Sequence, residues 1–270
     1  MEIDARALGF SALNEKLRST EEDCHISGCL GQRFIGDGMS GKTITIDGIP
    51  GNALGAYLSG AQIVVNGNAQ DAVGDTMNAG RIVVHGSIGD AVGYAMRGGE
   101  IFVQGNAGYR AGIHMKAYKE KKPVIVIGGR TGSFLGEYQA GGLIIVLGLN
   151  TDGKPIVGNF PSTGMHGGKL VLRGDVSAIQ FPSSVTARPS ARRMSFPLRS
   201  LRHTASITEF AENTIAFAPS ECGHIGQTQK ASSFVSSIGP PALMQYALEP
   251  VGVAIISPSP RYSQTAVPSQ

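Results

Sequence analysis

The residues best spaced for chemistry stand near the start of the chain. Gly36-Asp37-Gly38-Met39-Ser40-Gly41-Lys42-Thr43 matches the G-x-x-x-x-G-K-[ST] loop that cradles nucleotide phosphates, with Lys42 as the phosphate-binding cation. Such a loop works because it follows a strand and opens a helix whose N-terminal N–H groups meet the phosphates. Here Lys42 and Thr43 open an alternating apolar stretch, Thr43 to Asp47, that reads as a strand. Lys42 is then expected on a solvated surface, where its replacement changes stability by no more than about 0.5 kcal/mol. Cys24, His25 and Cys29 are three potential metal ligands, one short of the four that a structural zinc or iron–sulfur site uses. Gly86, Gly89 and Gly93 have the wrong spacing for a dinucleotide fingerprint and no helix to follow them. The histidines are scattered, His85 reads as a surface residue, and no G-x-S-x-G elbow supports a serine-hydrolase triad. What remains is Gly108 to Met115, where Arg110 and His114 stand beside the charged insertion Lys116 to Lys122. Arg110, His114, Lys116 and Lys119 read as a docking edge, and no residue is assigned to catalysis, to a cofactor or to a metal.

The elements that must position these residues come from an internal repeat. Short apolar strands end in glycine at Gly48, Gly67, Gly86, Gly105, Gly129, Gly148 and Gly174, at spacings of 19, 19, 19, 24, 19 and 26 residues. A fixed period near twenty residues signals a solenoid. Four positions before each end-glycine lie Ile44, Ile63, Ile82, Ile101, Ile125, Ile144 and Leu170. Two positions before it lie Ile46, Val65, Val84, Val103, Ile127, Val146 and Leu172. Residues two apart on a strand share a face, so each copy sends the same two side chains into a common interior. The column just before the glycine, Asp47, Asn66, His85, Gln104, Gly128, Leu147 and Arg173, reads as mostly solvent-directed.

The second half of each unit resembles a helix, but Gly55, Gly74, Gly93, Gly112 and Gly136 recur mid-segment, and each costs a helix about 1 kcal/mol relative to alanine. It is expected to be a second short strand, stacking Leu54, Val73, Val92, Ala111 and Leu135 in one column and Leu58, Met77, Met96 and Met115 in another, which Gln139 breaks. The glycines serve corners where φ is positive and a Cβ would clash. The fold class is therefore all-β: a right-handed parallel β-helix, a single-stranded solenoid of about seven coils over residues 41–175. Residues 1–40 form an N-terminal cap segment, with Leu8, Phe10, Leu13 and Leu17 at helical spacing. Residues 176–270, with 16 serines and 10 prolines, form a partly irregular tail. In it, 182–202 is expected to be loop or linker, and 207–218 and 242–256 are apolar enough to fold against the solenoid.

Charge and composition exclude several classes. Residues 1–175 carry 16 basic and 16 acidic side chains, so the net charge of +3 belongs to the tail and its cluster Arg188, Arg192, Arg193, Arg199 and Arg202. No aromatic stacking platform accompanies that cluster, which argues against nucleic acid. Glycine or a polar residue interrupts every apolar run before the roughly eighteen residues that a membrane span needs. Three cysteines make no disulfide framework, and a reducing cytoplasmic location is expected.

The G-x-x-G-x-x-x-G series resembles the C-terminal GXGXG domain of the glutamate synthase large subunit. It runs through Gly93-Tyr94-Ala95-Met96-Arg97-Gly98-Gly99, Gly105-Asn106-Ala107-Gly108 and Gly136-Glu137-Tyr138-Gln139-Ala140-Gly141-Gly142. Gly31-Gln32-Arg33, Gly51 to Tyr57 and Gly164-Met165-His166-Gly167-Gly168 resemble the free-standing version of that domain, in which the synthase is split into separate chains. The domain is also similar to the third subunit of formylmethanofuran dehydrogenase. The resemblance implies a β-helix that supports glutamine amidotransferase and flavin/iron–sulfur synthase subunits without supplying catalytic residues. FMN and the iron–sulfur cluster would then sit on those partners and no cofactor on this chain. Competing readings are an independent nucleotide hydrolase or esterase, and a homo-oligomeric scaffold.

Overall fold

A computed structural model describes residues 1–149, 151–189 and 253–259. Cys222, the expected linker beyond 189 with its arginines at 192, 193, 199 and 202, the stretch 207–218 and residues 242–252 lie outside the described residues. One sheet forms the long wall. Its parallel strands β1 (Glu2–Asp4), β2 (Cys24–Leu30), β3 (Thr43–Ile49), β4 (Ser59–Val65), β5 (Ala79–Val84), β6 (Glu100–Val103), β7 (Val124–Ile127), β8 (Ala140–Val146) and β9 (Gly167–Arg173) stack in chain order. The register follows the repeat, with Ile44 opposite Ile63, then Ile82, Ile101, Ile125, Ile144 and Leu170 in turn. All seven are fully buried, as are the seven residues two places further along each strand. This is a parallel β-helix.

Its opposite wall is not the second strand expected. Ala53, Gly55 and Tyr57 all have positive φ, and the same three places are left-handed in the following coils, as at Arg110, Gly112 and His114. A strand needs negative φ throughout, so this wall is a run of tight turns closed by local bonds such as Leu58 N–H to the Gly55 carbonyl, 3.2 Å. The turns still stack. The N–H of Gly93 donates to Val73 O in the coil before, at 2.8 Å, and those of Ala91 and Ala95 donate to Tyr109 O and Ile113 O in the coil after. Both expected inward columns are buried, and Gln139 is buried among them.

Two glycine tasks separate here. At Gly93 φ is +64°, and a Cβ would overlap Ile125 Cδ1 across the interior. At Gly67, one of the end-glycines, φ is not positive, and a Cβ would instead overlap the Gly48 carbonyl of the coil before. Strand-end glycines of this second kind serve close stacking rather than backbone hand. Side chains add a ladder at the same level. Asn68 Oδ1 accepts from Ser87 N–H, Ser87 Oγ from Asn106 N–H, and Asn106 Oδ1 from Arg130 N–H, at 2.8, 3.0 and 2.9 Å.

Both ends depart from the expected boundaries. The N-terminal segment contributes two strands, β1 and β2, as well as a helix, α1 (Phe10–Arg18), whose Leu13 and Leu17 are fully buried. Lys42 is not solvated: it is 7% exposed, and its Nζ donates to Leu17 O at 2.7 Å and to Thr20 O. A lysine there satisfies carbonyls that the helix end leaves without partners and complements its dipole. At the other end residues 185–189 of the expected linker form β10 (Val185–Pro189), antiparallel to β11 (Val253–Pro258), which itself runs antiparallel to β9. Between Val83 and Val171 the outward face of the sheet is also buried, with Phe102, Val126 and Ile145 at most 1% exposed. That face carries apolar side chains, as both faces of parallel sheets often do.

Candidate docking surface

The turn wall carries two of the four expected docking residues. Arg110 and His114 flank the corner glycine Gly112, and both hold the left-handed conformation, at φ of 56° and 55°. Because successive corners stack, a residue at one of these places lies over its counterpart in the next coil, and the outward places carry rings. His114 stacks on Tyr138 with centroids 5.2 Å apart and planes 10° apart, and meets Tyr94 edge-on at 5.9 Å. Arg110 lies 5.1 Å over the Phe134 ring, and Phe134 stacks on Phe160 at 5.5 Å. The Arg110 Nε also pairs with Glu137 Oε2 at 3.3 Å. Tyr94, Tyr138 and Phe160 remain exposed, Phe160 by 62%. The inward columns of the repeat give no sign of this ring ladder. Continuing the alignment to the places two before and two after the corner glycine brings up Phe134 and Phe160, and Tyr57 and Tyr138.

Lys116 and Lys119 lie on the insertion that follows. Lys116 N–H donates to Met96 O at 3.0 Å, which ties the start of the insertion to the coil before. Its tip closes by two backbone bonds between Tyr118 and Lys121, 3.0 Å each, and Lys119 Nζ lies 5.4 Å over the Tyr118 ring. The structure therefore brings Arg110 and His114 to one corner and sets Lys116 and Lys119 on an exposed hairpin-like tip beginning two residues later.

The other motifs resolve into structural roles. Lys42 caps α1 as described, and Gly36 occupies a solenoid corner with φ of 76°. Cys24 and Cys29 are buried and donate to Glu22 O and Gln32 Oε1, while burial raises both thiol pKa values, that of Cys29 to about 11. His25 is the strand neighbour of Cys24, so its ring points to the other face. There Nδ1 meets Glu2 Oε2 at 2.7 Å and Nε2 meets Asp47 Oδ2 at 2.8 Å, and Asn66 Nδ2 donates to Asp47 Oδ1 at 2.7 Å. The bonds to Asp47 and Glu2 raise the His25 pKa. Asp47 is lowered, first by Asn66 and then by His25. Among the described residues no three His, Cys, Asp or Glu side chains converge as a metal site, and no helix is long and apolar enough to cross a membrane.

The fold and this surface define the class: a glycine-cornered parallel β-helix whose turn wall carries an exposed ring ladder. The chain belongs to the GXGXG motif family, which matches residues 14–187. It is 48% identical over 189 residues to an uncharacterized protein of Methanocaldococcus jannaschii, covering 66% of this chain and 72% of that one. Among solved structures it is similar in fold to a chain of the formyltransferase/hydrolase complex of Methylorubrum extorquens, determined with methylofuran. That match has a TM-score of 0.52 at 19% identity, over 78% of this chain and 87% of the other.

Proposed function

We propose that this chain is a non-catalytic docking subunit of a glutamate synthase-like complex. Its partners would be a glutamine amidotransferase and a flavin/iron–sulfur synthase subunit that carry the FMN and cluster, in the cytoplasm. The observation that carries the reading is the turn wall. A rigid, hydrogen-bonded ladder holds exposed rings and cations in fixed places, while the motifs that could have bound phosphate or metal are spent on Lys42 capping and on the two faces of β2. A surface held this way loses little conformational entropy on association.

A second reading is favoured by the fold neighbour, which is one chain of a formyltransferase/hydrolase complex. By that analogy the present chain would stand in the place of the third subunit in a formylmethanofuran dehydrogenase-type complex. Affinity purification of the tagged chain from its native cell, with mass spectrometry of the co-eluting chains, separates the two. Amidotransferase and flavin synthase chains support the first reading, formyltransferase chains support the second, and recovery of the chain alone overturns both. A homo-oligomer would appear in the same experiment as a larger particle containing this chain alone.

A further inference from the structure

We propose that the basic tip formed by the insertion, together with the adjoining ring ladder, receives an acidic, partly apolar segment of a partner protein. The proposal deepens the docking reading and rests on it. Three observations carry it. First, the tip concentrates charge: Arg97, Lys116, Lys119 and Lys121 are exposed and form no ion pair among the described residues, and Glu120 is the one acidic residue between Lys116 and Lys122. Residues 1–175 as a whole are neutral, so this concentration is local. Second, the tip is held rather than loose. Beyond its Met96 and Tyr118–Lys121 bonds, Ala117 packs against Gly141 so closely that a Cβ on Gly141 would overlap it, and Lys121 Cβ lies against Gly98. A backbone held before binding leaves less to order when an anionic partner arrives. Third, Tyr94 and Tyr138 stay exposed beside the cations and offer apolar contact, the combination of rings and cations that protein interfaces favour.

A protein segment suits this surface better than a nucleic acid. Single-stranded nucleic acid stacks its bases on open ring faces along a basic groove. Here His114 and Tyr138 spend their facing planes on each other, as do Phe134 and Phe160. Carboxylates set apart by apolar side chains use both features of this surface, the exposed lysines and the exposed Tyr94 and Tyr138.

The test titrates the purified full chain with a fluorescent peptide of alternating glutamate and leucine. The controls are the glutamine–leucine peptide and a single-stranded oligonucleotide of equal length. Saturable binding of the acidic peptide is expected, weakening at least tenfold in the triple variant Lys116→Glu/Lys119→Glu/Lys121→Glu, whose melting curve should be unchanged because these side chains are exposed. Equal affinity of the triple variant, absence of binding, or preference for the oligonucleotide overturns the proposal. The peptide titration needs no parent complex, so its failure is separate from that of the docking reading. If native partners co-purify equally with wild type and triple variant, docking stands and this surface falls. If the acidic peptide binds but no partner co-purifies, the surface stands and the docking reading falls.

Discussion

At Gly93 two demands meet in one residue: the backbone is left-handed, and the space a Cβ would take is filled by Ile125 Cδ1. Valine is strained by both, so Gly93→Val is expected to destabilise by more than about 2 kcal/mol. The same corner in the last coil makes the reverse case. Ser162 occupies the place that Gly136 holds one coil earlier, with φ of 62° and a buried hydroxyl that has no hydrogen-bond partner. Ser162→Gly relieves both faults and is expected to stabilise by about 1 kcal/mol. Thermal melts of the two variants against wild type check the pair, and a destabilised Ser162→Gly would mean that the hydroxyl has a partner after all. Lys42 shows where residue-level reading fails. Its place at the mouth of a strand is correct, but an exposed fate does not follow, because the aliphatic stem lets Nζ cross to the end of α1. Lys42→Ala leaves the buried Leu17 carbonyl and the half-buried Thr20 carbonyl without this donor and is expected to cost about 1–3 kcal/mol rather than to be neutral. Urea denaturation of the variant measures this, and a midpoint equal to that of wild type would sink the capping role.

At the scale of elements, the first strands are joined across their outer face by Glu2, His25 and Asp47, one residue from each of β1, β2 and β3. A charged imidazolium donates to both carboxylates at once, and a neutral ring donates to one. Because the folded-state pKa of His25 lies above the ordinary value of 6.5, the clasp contributes fully below that value, and its contribution is lost as pH rises through the raised pKa. The melting temperature of wild type should therefore fall relative to that of His25→Gln as pH is raised from about 6. Parallel pH profiles for the two proteins would remove the clasp as a stabilising device. The long wall of strands was legible because its period is 2 and its columns repeat every coil, from Ile44 to Leu170 and from Ile46 to Leu172. The turn wall was legible only in its inward columns. Leu54 and Leu58, four residues apart, fit strand and turn equally well, and nothing in residue type announces that Ala53 and Tyr57 adopt positive φ. Of the candidate docking edge, Arg110 and His114 could be read from their contrast with bland neighbours. Their aromatic partners Phe134 and Tyr138 come from the next coil, beyond any local window.

At the scale of the molecule, a stack of parallel coils has two open ends, and each exposes unpaired backbone and core that must be covered. The first end is closed by α1 with its buried Leu13 and Leu17. The second would be β9, but the chain returns and lays β11 along it antiparallel, with Ile256 opposite Leu170 and Ala254 opposite Leu172. Ile256 and Ala254 are buried, so they extend the interior columns by one more layer, whereas Ile255 and Ser257 point to the other face and are partly exposed. Apolar content alone predicts that 242–256 folds against the solenoid, and of that stretch 253–256 are described. Which solenoid residues it would meet could not be read, since the repeat ends at Gly174 and supplies no register for a strand that arrives some eighty residues later. The reversal of direction at β11 stops the parallel ladder from continuing, and Pro189 on β10 removes an edge donor beyond it. A carboxylate at position 256 would sit in the last interior layer with no partner, so Ile256→Asp is expected to cost more than about 3 kcal/mol and to uncover the β9 edge. Ser257→Asp, one residue along the same strand, should leave stability within about 0.5 kcal/mol of wild type. Size-exclusion chromatography and thermal melts of the two variants read the difference. Ile256→Asp should melt lower and self-associate through β9, while Ser257→Asp should elute and melt as wild type does. A monodisperse Ile256→Asp protein with an unchanged melting temperature would mean that β11 does not close the solenoid.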